Sequence, residues 1–114
     1  MKLISIITAS FSSQLAMADI VYGDKEVLIN NDTVEVVRLT YPAGSQSGMH
    51  THQYPHRVVY VAQGGVIELK PSQPDKSSKV LNLKTGQALY LPATTHNVIN
   101  VGESEVVLVE TEIK

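Results

Sequence analysis

The sequence predicts an all-β fold, a small antiparallel β-barrel of the jelly-roll type. After the N-terminus, the chain consists of short runs rich in β-branched residues, separated by Gly, Pro, Asn and Asp at turn positions. No stretch after Asp19 has the 3.6-residue apolar period of an amphipathic helix. Short strands at this spacing are typical of β-sandwiches, jelly rolls and barrels.

The strands are predicted from β-branched runs and from the turns between them. In chain order they are residues 34–41, 57–61, 66–69, 80–83, 88–91, 97–101 and 106–109. Turn residues follow at 42–44, 64–65, 71–75, 85–86 and 102–103, and another turn, at 30–32, precedes the first strand.

The last strand alternates clearly enough to predict its two faces. Residues 107, 109, 111 and 113 share one face, and residues 106, 108, 110 and 112 share the other. Because the second set carries Glu110 and Glu112, the first set is predicted to face the core.

Length and composition narrow the function classes. The 114 residues suffice for one domain, and a formal net charge of −2 with no basic run argues against a nucleic-acid or acidic-membrane partner. The chain has no Trp and one Phe, so an aromatic platform for single strands is not expected. The absence of Cys excludes disulfides, thiolate nucleophiles and Cys-based zinc sites.

Residues 1–18 are predicted to be a secretory signal peptide. Lys2 supplies the positive charge, residues 3–16 are moderately apolar, and Ala16-Met17-Ala18 matches an A-x-A cleavage signature. The mature chain, residues 19–114, is then a single periplasmic or secreted domain. The alternative is a cytoplasmic protein in which these residues form an N-terminal helix or strand.

The candidate functional residues cluster in the stretch Gly48-Met-His-Thr-His-Gln-Tyr-Pro-His-Arg57. His50 and His52 are one residue apart, so on a strand they point to the same face, about 6.6–6.8 Å apart at Cα. Two imidazoles so placed can bind one metal ion. A third ligand must come from elsewhere, and the remaining histidines are His56 and His96.

The chain resembles the cupin superfamily at two motifs. Residues 44–64 resemble the first motif, G-x5-H-x-H-x(3,4)-E-x6-G, and residues 86–100 resemble the second, G-x5-P-x-G-x2-H-x3-N. The matching positions are Gly44, His50, His52 and Gly64, then Gly86, Pro92, His96 and Asn100. The resemblance implies a double-stranded β-helix whose lumen histidines His50, His52 and His96 bind a divalent metal: zinc, iron, manganese, nickel or copper.

Two departures from the family pattern affect the predicted site. Arg57 stands where the acidic ligand of the first motif is expected, or His56 if the shorter spacing applies. The segment from Pro92 to His96 is one residue shorter than the pattern and lacks its Gly.

Three arrangements follow from the missing acid. Arg57 points into the lumen and binds an anionic ligand together with the metal. Alternatively, His56 supplies a fourth nitrogen while Arg57 turns outward to pair with an acid. In the third, the site is metal-free, and His and Arg line an anion pocket. Tyr60 is a second ligand-binding candidate, as a phenol that assists proton transfer, and Gln63, Glu68 and Glu110 are candidates to support the ligands.

Two classes of function remain open. The first is a metal-binding cupin with dioxygenase-like or isomerase-like activity on a small molecule, which is what the resemblance implies. The second is a non-catalytic module that binds or senses an anion or a sugar without a tightly bound metal. A homodimer formed through residues 19–30 is also expected, because an open β-edge favours pairing.

Overall fold

The computed structural model describes residues 19–114, and the predicted signal peptide lies outside them. The described residues form strands, turns and bends, with no helix among them, and therefore no helix that could cross a membrane. The strands, in chain order, are β1 (Asp24–Asn30), β2 (Val34–Tyr41), β3 (His50–His52), β4 (His56–Gln63), β5 (Gly65–Pro71), β6 (Lys79–Leu83), β7 (Ala88–Leu91), β8 (Thr94–Asn100) and β9 (Val106–Ile113).

The strands form two antiparallel sheets. One has the order β1-β2-β9-β4-β7, and the other has the order β3-β8-β5-β6. Apart from the β1–β2 and β5–β6 hairpins, neighbours in each sheet come from distant parts of the chain, so the chain passes repeatedly between the sheets, which enclose a common interior. The predicted all-β jelly-roll class is confirmed.

The turns are built by the residue types that such geometry needs. Gly44 and Gly86 adopt φ of 80° and 89°, a region that glycine enters without a steric penalty. Asn31 closes the β1–β2 hairpin by accepting hydrogen bonds from the backbone N–H groups of Thr33 and Val34, both at 2.9 Å.

The core lies between the two sheets and adjoins the histidines through the cavity that both line. Its buried members come from both sheets and are mostly aliphatic: Tyr41, Val59, Val61, Ile67, Leu83, Val98, Val106 and Leu108. Asn100 lies at the edge of this core and donates to the carbonyl oxygens of Tyr41 at 2.8 Å and Ser104 at 2.9 Å, while accepting from Gly102 N–H at 3.0 Å. It thus ties three backbone groups at the end of β8.

The prediction of which face of β9 points inward is wrong. Val106, Leu108 and Glu110 are buried, whereas the alternate positions are less buried. The face that carries the two glutamates therefore lines the interior. The physical reason is that this part of the interior is polar. Acidic side chains therefore point into the lumen there, and they do not indicate the solvent-facing side of the strand.

Candidate metal centre

Strands β3 and β8 bring three histidines together. His50 and His52 point to the same face of β3, and His96 on β8 is the direct cross-strand partner of His50. The ring centroids of the three side chains lie 4.6–5.1 Å apart. One nitrogen of each ring lies within 4.8 Å of the others. Spacing on one strand and pairing with its neighbour are sufficient to assemble the cluster.

The hydrogen bonds of two rings determine which nitrogens are free. His50 Nδ1 lies 2.8 Å from the Gly48 carbonyl oxygen, which can only accept, so this nitrogen carries the proton. His52 Nδ1 donates in the same way to the Glu112 carboxylate. In both neutral rings Nε2 is then left with a lone pair.

These two lone pairs face each other. His50 Nε2 and His52 Nε2 are 2.8 Å apart, and neither carries a proton to share. Two acceptors at this distance repel unless a cation lies between them. Two nitrogens that bind one ion at about 2.0–2.1 Å and at a right angle are about 3 Å apart. The donor set therefore fits a divalent metal ion that accepts imidazole nitrogen, with His96 as the third ligand.

Burial keeps the rings neutral, which metal binding requires. Burial is the main cause that lowers the pKa of His96 to about 3, and the neighbouring His50, His52 and Arg57 add to it. The pKa of His52 is also lowered, chiefly by burial, although its hydrogen bond to Glu112 opposes the shift. An imidazole nitrogen therefore remains available well below neutral pH at His96, and the pKa of His52 is shifted in the same direction.

Arg57 points into the interior from β4. Its side chain is 2% exposed, and its Nε lies 3.5 Å from Glu110 Oε2. The contact is an ion pair without hydrogen-bond geometry, and Nε and Nη1 have no hydrogen-bond partner among the described residues. Burial lowers the pKa of the guanidinium, and Glu110 and Glu112 oppose that shift.

Glu110 and Glu112 are the site residues that sequence reasoning underrated. Glu112 is the cross-strand partner of Arg57 and contacts His52, while Glu110 lies between Arg57 and His52, with Oε1 3.8 Å from His52 Nδ1. Burial raises the pKa of Glu110 to about 7, against the opposing effect of Arg57. Their alternation with Val106 and Leu108 was the available signal, because it places all four side chains on one face.

Two predicted site residues lie away from the cluster, and both assignments are corrected. On β4, exposed and buried positions alternate, with Arg57 on the inward face. His56 and Tyr60 are on the outer face, where His56 pairs with the Tyr90 hydroxyl and Tyr60 is 47% exposed. The arrangement in which His56 is a fourth ligand and Arg57 turns outward is thus contrary to the structure.

Two cavities adjoin the histidines. The outer one is about 550 Å³, open to solvent, and lined by β1, β2, β9 and the 47–54 segment. The inner one is about 40 Å³ and is lined mainly by aliphatic side chains, together with Arg57 and His96. His50, His52 and Glu110 line both, so the three-histidine cluster lies where the two cavities meet.

Comparison with known proteins agrees with the architecture and the motifs. A sequence profile described as a cupin domain matches residues 37–112, a span that includes all three histidines. The chain belongs to the cupin family. This cupin is similar to the beta-alanine degradation protein BauB of Pseudomonas aeruginosa, with 35% identity over 89 residues, 77% of this chain and 90% of that protein.

Solved structures share the fold of this cupin. A cupin domain from Bordetella pertussis is 32% identical, with a TM-score of 0.76 over 85% of this chain and 98% of that one. A double-stranded β-helix protein from Klebsiella pneumoniae is 19% identical, with a TM-score of 0.64 over 81% of this chain and 76% of that one. The second likeness concerns the fold alone.

The cupin context shows what is unusual in this interior. The family motif has its acidic residue where β4 here carries Arg57, yet the interior does not lack acids. Strand β9 pairs with β4 and supplies Glu110 and Glu112 on the inward face. Glu112 reaches the Nδ1 side of His52, opposite the nitrogen that faces His50. For a metal ion held by the three histidines, Glu112 is therefore placed to orient His52.

Proposed function

We propose that this cupin binds a divalent metal ion through His50, His52 and His96 and uses it to bind a small molecule that enters from the outer cavity. The observation that carries the proposal is the pair of opposed Nε2 lone pairs, 2.8 Å apart, on rings whose Nδ1 atoms are already committed. When bound, the ion would supply Lewis-acid or redox chemistry to a ligand at an open position.

The experiment for metal binding is elemental analysis of untagged protein, comprising residues 19–114, after loading with zinc, iron, manganese, nickel or copper. We expect about one ion per chain in the wild type, by the ligand count of a mononuclear site, and a large loss in His96→Ala. His56→Ala is the matched control, because His56 lies on the outer face of β4. Failure of every metal to bind the wild type would refute the proposal.

The chain's own residues have distinct roles in this function. Gly48 and Glu112 hold the Nδ1 protons of His50 and His52, and so direct the Nε2 atoms toward the ion. Glu110 is a buried carboxyl that faces both cavities, a location from which it can exchange a proton with a ligand. The aliphatic wall of the inner cavity excludes bulk water.

We infer an enzymatic role in the metabolism of a small molecule, of dioxygenase-like or isomerase-like type. The support is the similarity to a protein named for β-alanine degradation and the open side of the three-histidine cluster. Oxygen consumption by iron-loaded protein, measured with β-alanine and short carboxylic acids, tests the first type, and NMR of the same mixtures tests the second. No turnover with any of them, together with saturable binding, would favour the binding or sensing alternative.

We also propose a homodimer that pairs through β1. This strand is at the edge of its sheet and all its residues are exposed, among them Val27, Leu28 and Ile29. An apolar edge of this kind pairs readily with a second copy. Sedimentation velocity should give a dimer that dissociates in Val27→Lys, and a monomeric wild type would refute the pairing.

Export is proposed on the basis of residues 1–18 alone. N-terminal sequencing of the protein recovered from its native cells should then begin at Asp19. A chain that begins at Met1 in the cytoplasmic fraction would refute export.

A further inference from the structure

Arg57 is a buried cation with unused hydrogen-bond donors. Its side chain is 2% exposed, and its Nε and Nη1 donate to no described residue. Buried N–H groups without an acceptor are costly, and more so on a charged group. The ion pair with Glu110, at 3.5 Å, offsets the charge but does not supply these donors with a hydrogen bond.

Arg57 lies at a cavity of defined size. Arg57 and His96 line the inner cavity, and most of the other lining side chains are aliphatic. Its volume is about 40 Å³, and one water-sized group needs about 10–15 Å³ of such space. The cavity therefore admits about three heavy atoms, the size of a carboxylate group, and is too small for a sugar ring.

The charge of the interior favours an anion once a metal is bound. Arg57 with ionised Glu110 and Glu112 leaves a formal charge of −1, and a divalent ion would change it to +1 in a site that is largely buried. Uncompensated charge in such a low-dielectric site attracts an anion strongly. Metal and anion should therefore bind with positive coupling.

We propose that the inner cavity is a subsite for the carboxylate group of a small aliphatic ligand, which accepts hydrogen bonds from the free N–H groups of Arg57. The rest of the ligand extends into the outer cavity past His50, His52 and Glu110, which line both spaces. The subsite deepens the proposed function, on which it rests, because it restricts the substrate to molecules that carry a carboxylate group and excludes uncharged sugars.

The test is an NMR titration that follows the Arg57 Nε–H signal in ¹⁵N-labelled protein. Acetate is added to the zinc-loaded protein and to the chelator-treated protein. Acetamide serves as a neutral control of similar size. We expect acetate to shift the signal saturably, at least about tenfold more tightly with zinc, a factor typical of coupled sites. Acetamide should leave it unchanged.

Two variants separate a specific subsite from general charge effects. Arg57→Met keeps the side-chain volume and removes the donors, so acetate binding should weaken at least about tenfold. Because this variant lacks the Arg57 signal, isothermal titration calorimetry of the zinc-loaded proteins measures the two affinities. Arg57→Lys keeps the charge without the planar guanidinium and should give an intermediate affinity. If Arg57→Met fails to fold, the wild-type comparison of acetate with acetamide still decides.

The outcomes distinguish this proposal from the proposed function. Zinc that binds without any saturable acetate shift at Arg57 overturns the subsite and leaves the metal centre intact. Equal acetate affinity in the wild type and Arg57→Met also overturns it. If zinc itself does not bind, the metal-binding function fails, and the titration of metal-free protein decides alone whether Arg57 binds the carboxylate.

Discussion

Glu112 should control metal affinity without being a ligand. Its carboxylate contacts His52 Nδ1, and both side chains are mostly buried, at 13% and 8% exposure. The contact holds the Nδ1–H form of the ring, which leaves Nε2 free to face His50. Glu112→Leu removes the acceptor and the charge, whereas Glu112→Gln removes the charge but keeps an acceptor oxygen.

The expected loss of metal affinity follows from the two contributions of Glu112, its acceptor oxygen and its charge. Loss of the partner that orients a metal-binding histidine typically costs 10–100-fold in metal affinity, or about 1.4–2.7 kcal/mol. We expect Glu112→Gln near the lower value and Glu112→Leu near the upper one, because only Leu also lets the His52 proton move to Nε2. The difference between the two variants isolates the effect of the protonated nitrogen.

Competition with a chromophoric zinc chelator measures the affinities, and thermal unfolding of the metal-free proteins controls for the fold. Glu103→Gln is the matched control, because Glu103 is exposed in the loop between β8 and β9 and loses the same charge. Histidine ¹⁵N shifts report the protonated nitrogen of His52 directly. A Leu variant within twofold of wild-type affinity, or one that binds zinc more tightly than the Gln variant, would refute the orienting role.

The other predictions concern the ligands, the fold and the response to pH. His96→Ala should lose zinc binding by at least about 100-fold, whereas His56→Ala should stay within about twofold; comparable losses in both would contradict the three-ligand assignment. Asn100→Ala should lower the free energy of unfolding in urea by about 3 kcal/mol, since three backbone groups lose their partner, and a loss below 1 kcal/mol would contradict that role. The folded-state pKa values of His52 and His96 are lowered, so the unfolded chain binds more protons below pH ~6.5 and metal-free protein should lose stability as pH falls through that value. The folded-state pKa of Glu110 is raised to about 7, so above pH ~4.5 the folded chain holds up to one more proton at this residue than the unfolded chain does. This difference opposes the effect of the histidines. Because Glu110 offsets about one histidine, the additional contribution of His52 should make stability in urea titrations fall as the pH is lowered from 6 to 5, and stability that rises over this range would contradict the sign.

The fold could be predicted because its signals are local. The turn glycines and the β-branched runs each restrict the backbone within a few residues, and the strands 34–41 and 88–91 were predicted with the observed bounds. Strand β1 was not predicted as a separate element. It packs at the edge of its sheet with every residue exposed, so its sequence does not show the alternation that a half-buried strand has.

Whether the Arg57 side chain points into the lumen could not be predicted from its own segment. Strand geometry alone, however, shows that Arg57 and Tyr60 cannot both point there. Arg57 and Tyr60 are three positions apart on one strand, so strand geometry forbids both from facing the lumen. The same reasoning separates Arg57 from His56. Which of the two faces was inward depended on the valines at 59 and 61, which are buried with Arg57. A guanidinium shares that apolar face only because β9 brings a carboxylate to it.

The error on β9 has a general physical cause. Acidic residues mark the solvent side of a strand when the interior is purely apolar, because an unpaired buried carboxylate is costly. Here the interior holds Arg57 and the imidazole N–H of His52, and each gives a buried glutamate a partner. The motif position held by Arg57 on β4 and the glutamates of β9 lie side by side, because the two strands are paired. The negative charge on β9 therefore lies close to the three histidines but behind His52. The position on β4 carries a cation, which the proposed subsite uses to bind a carboxylate.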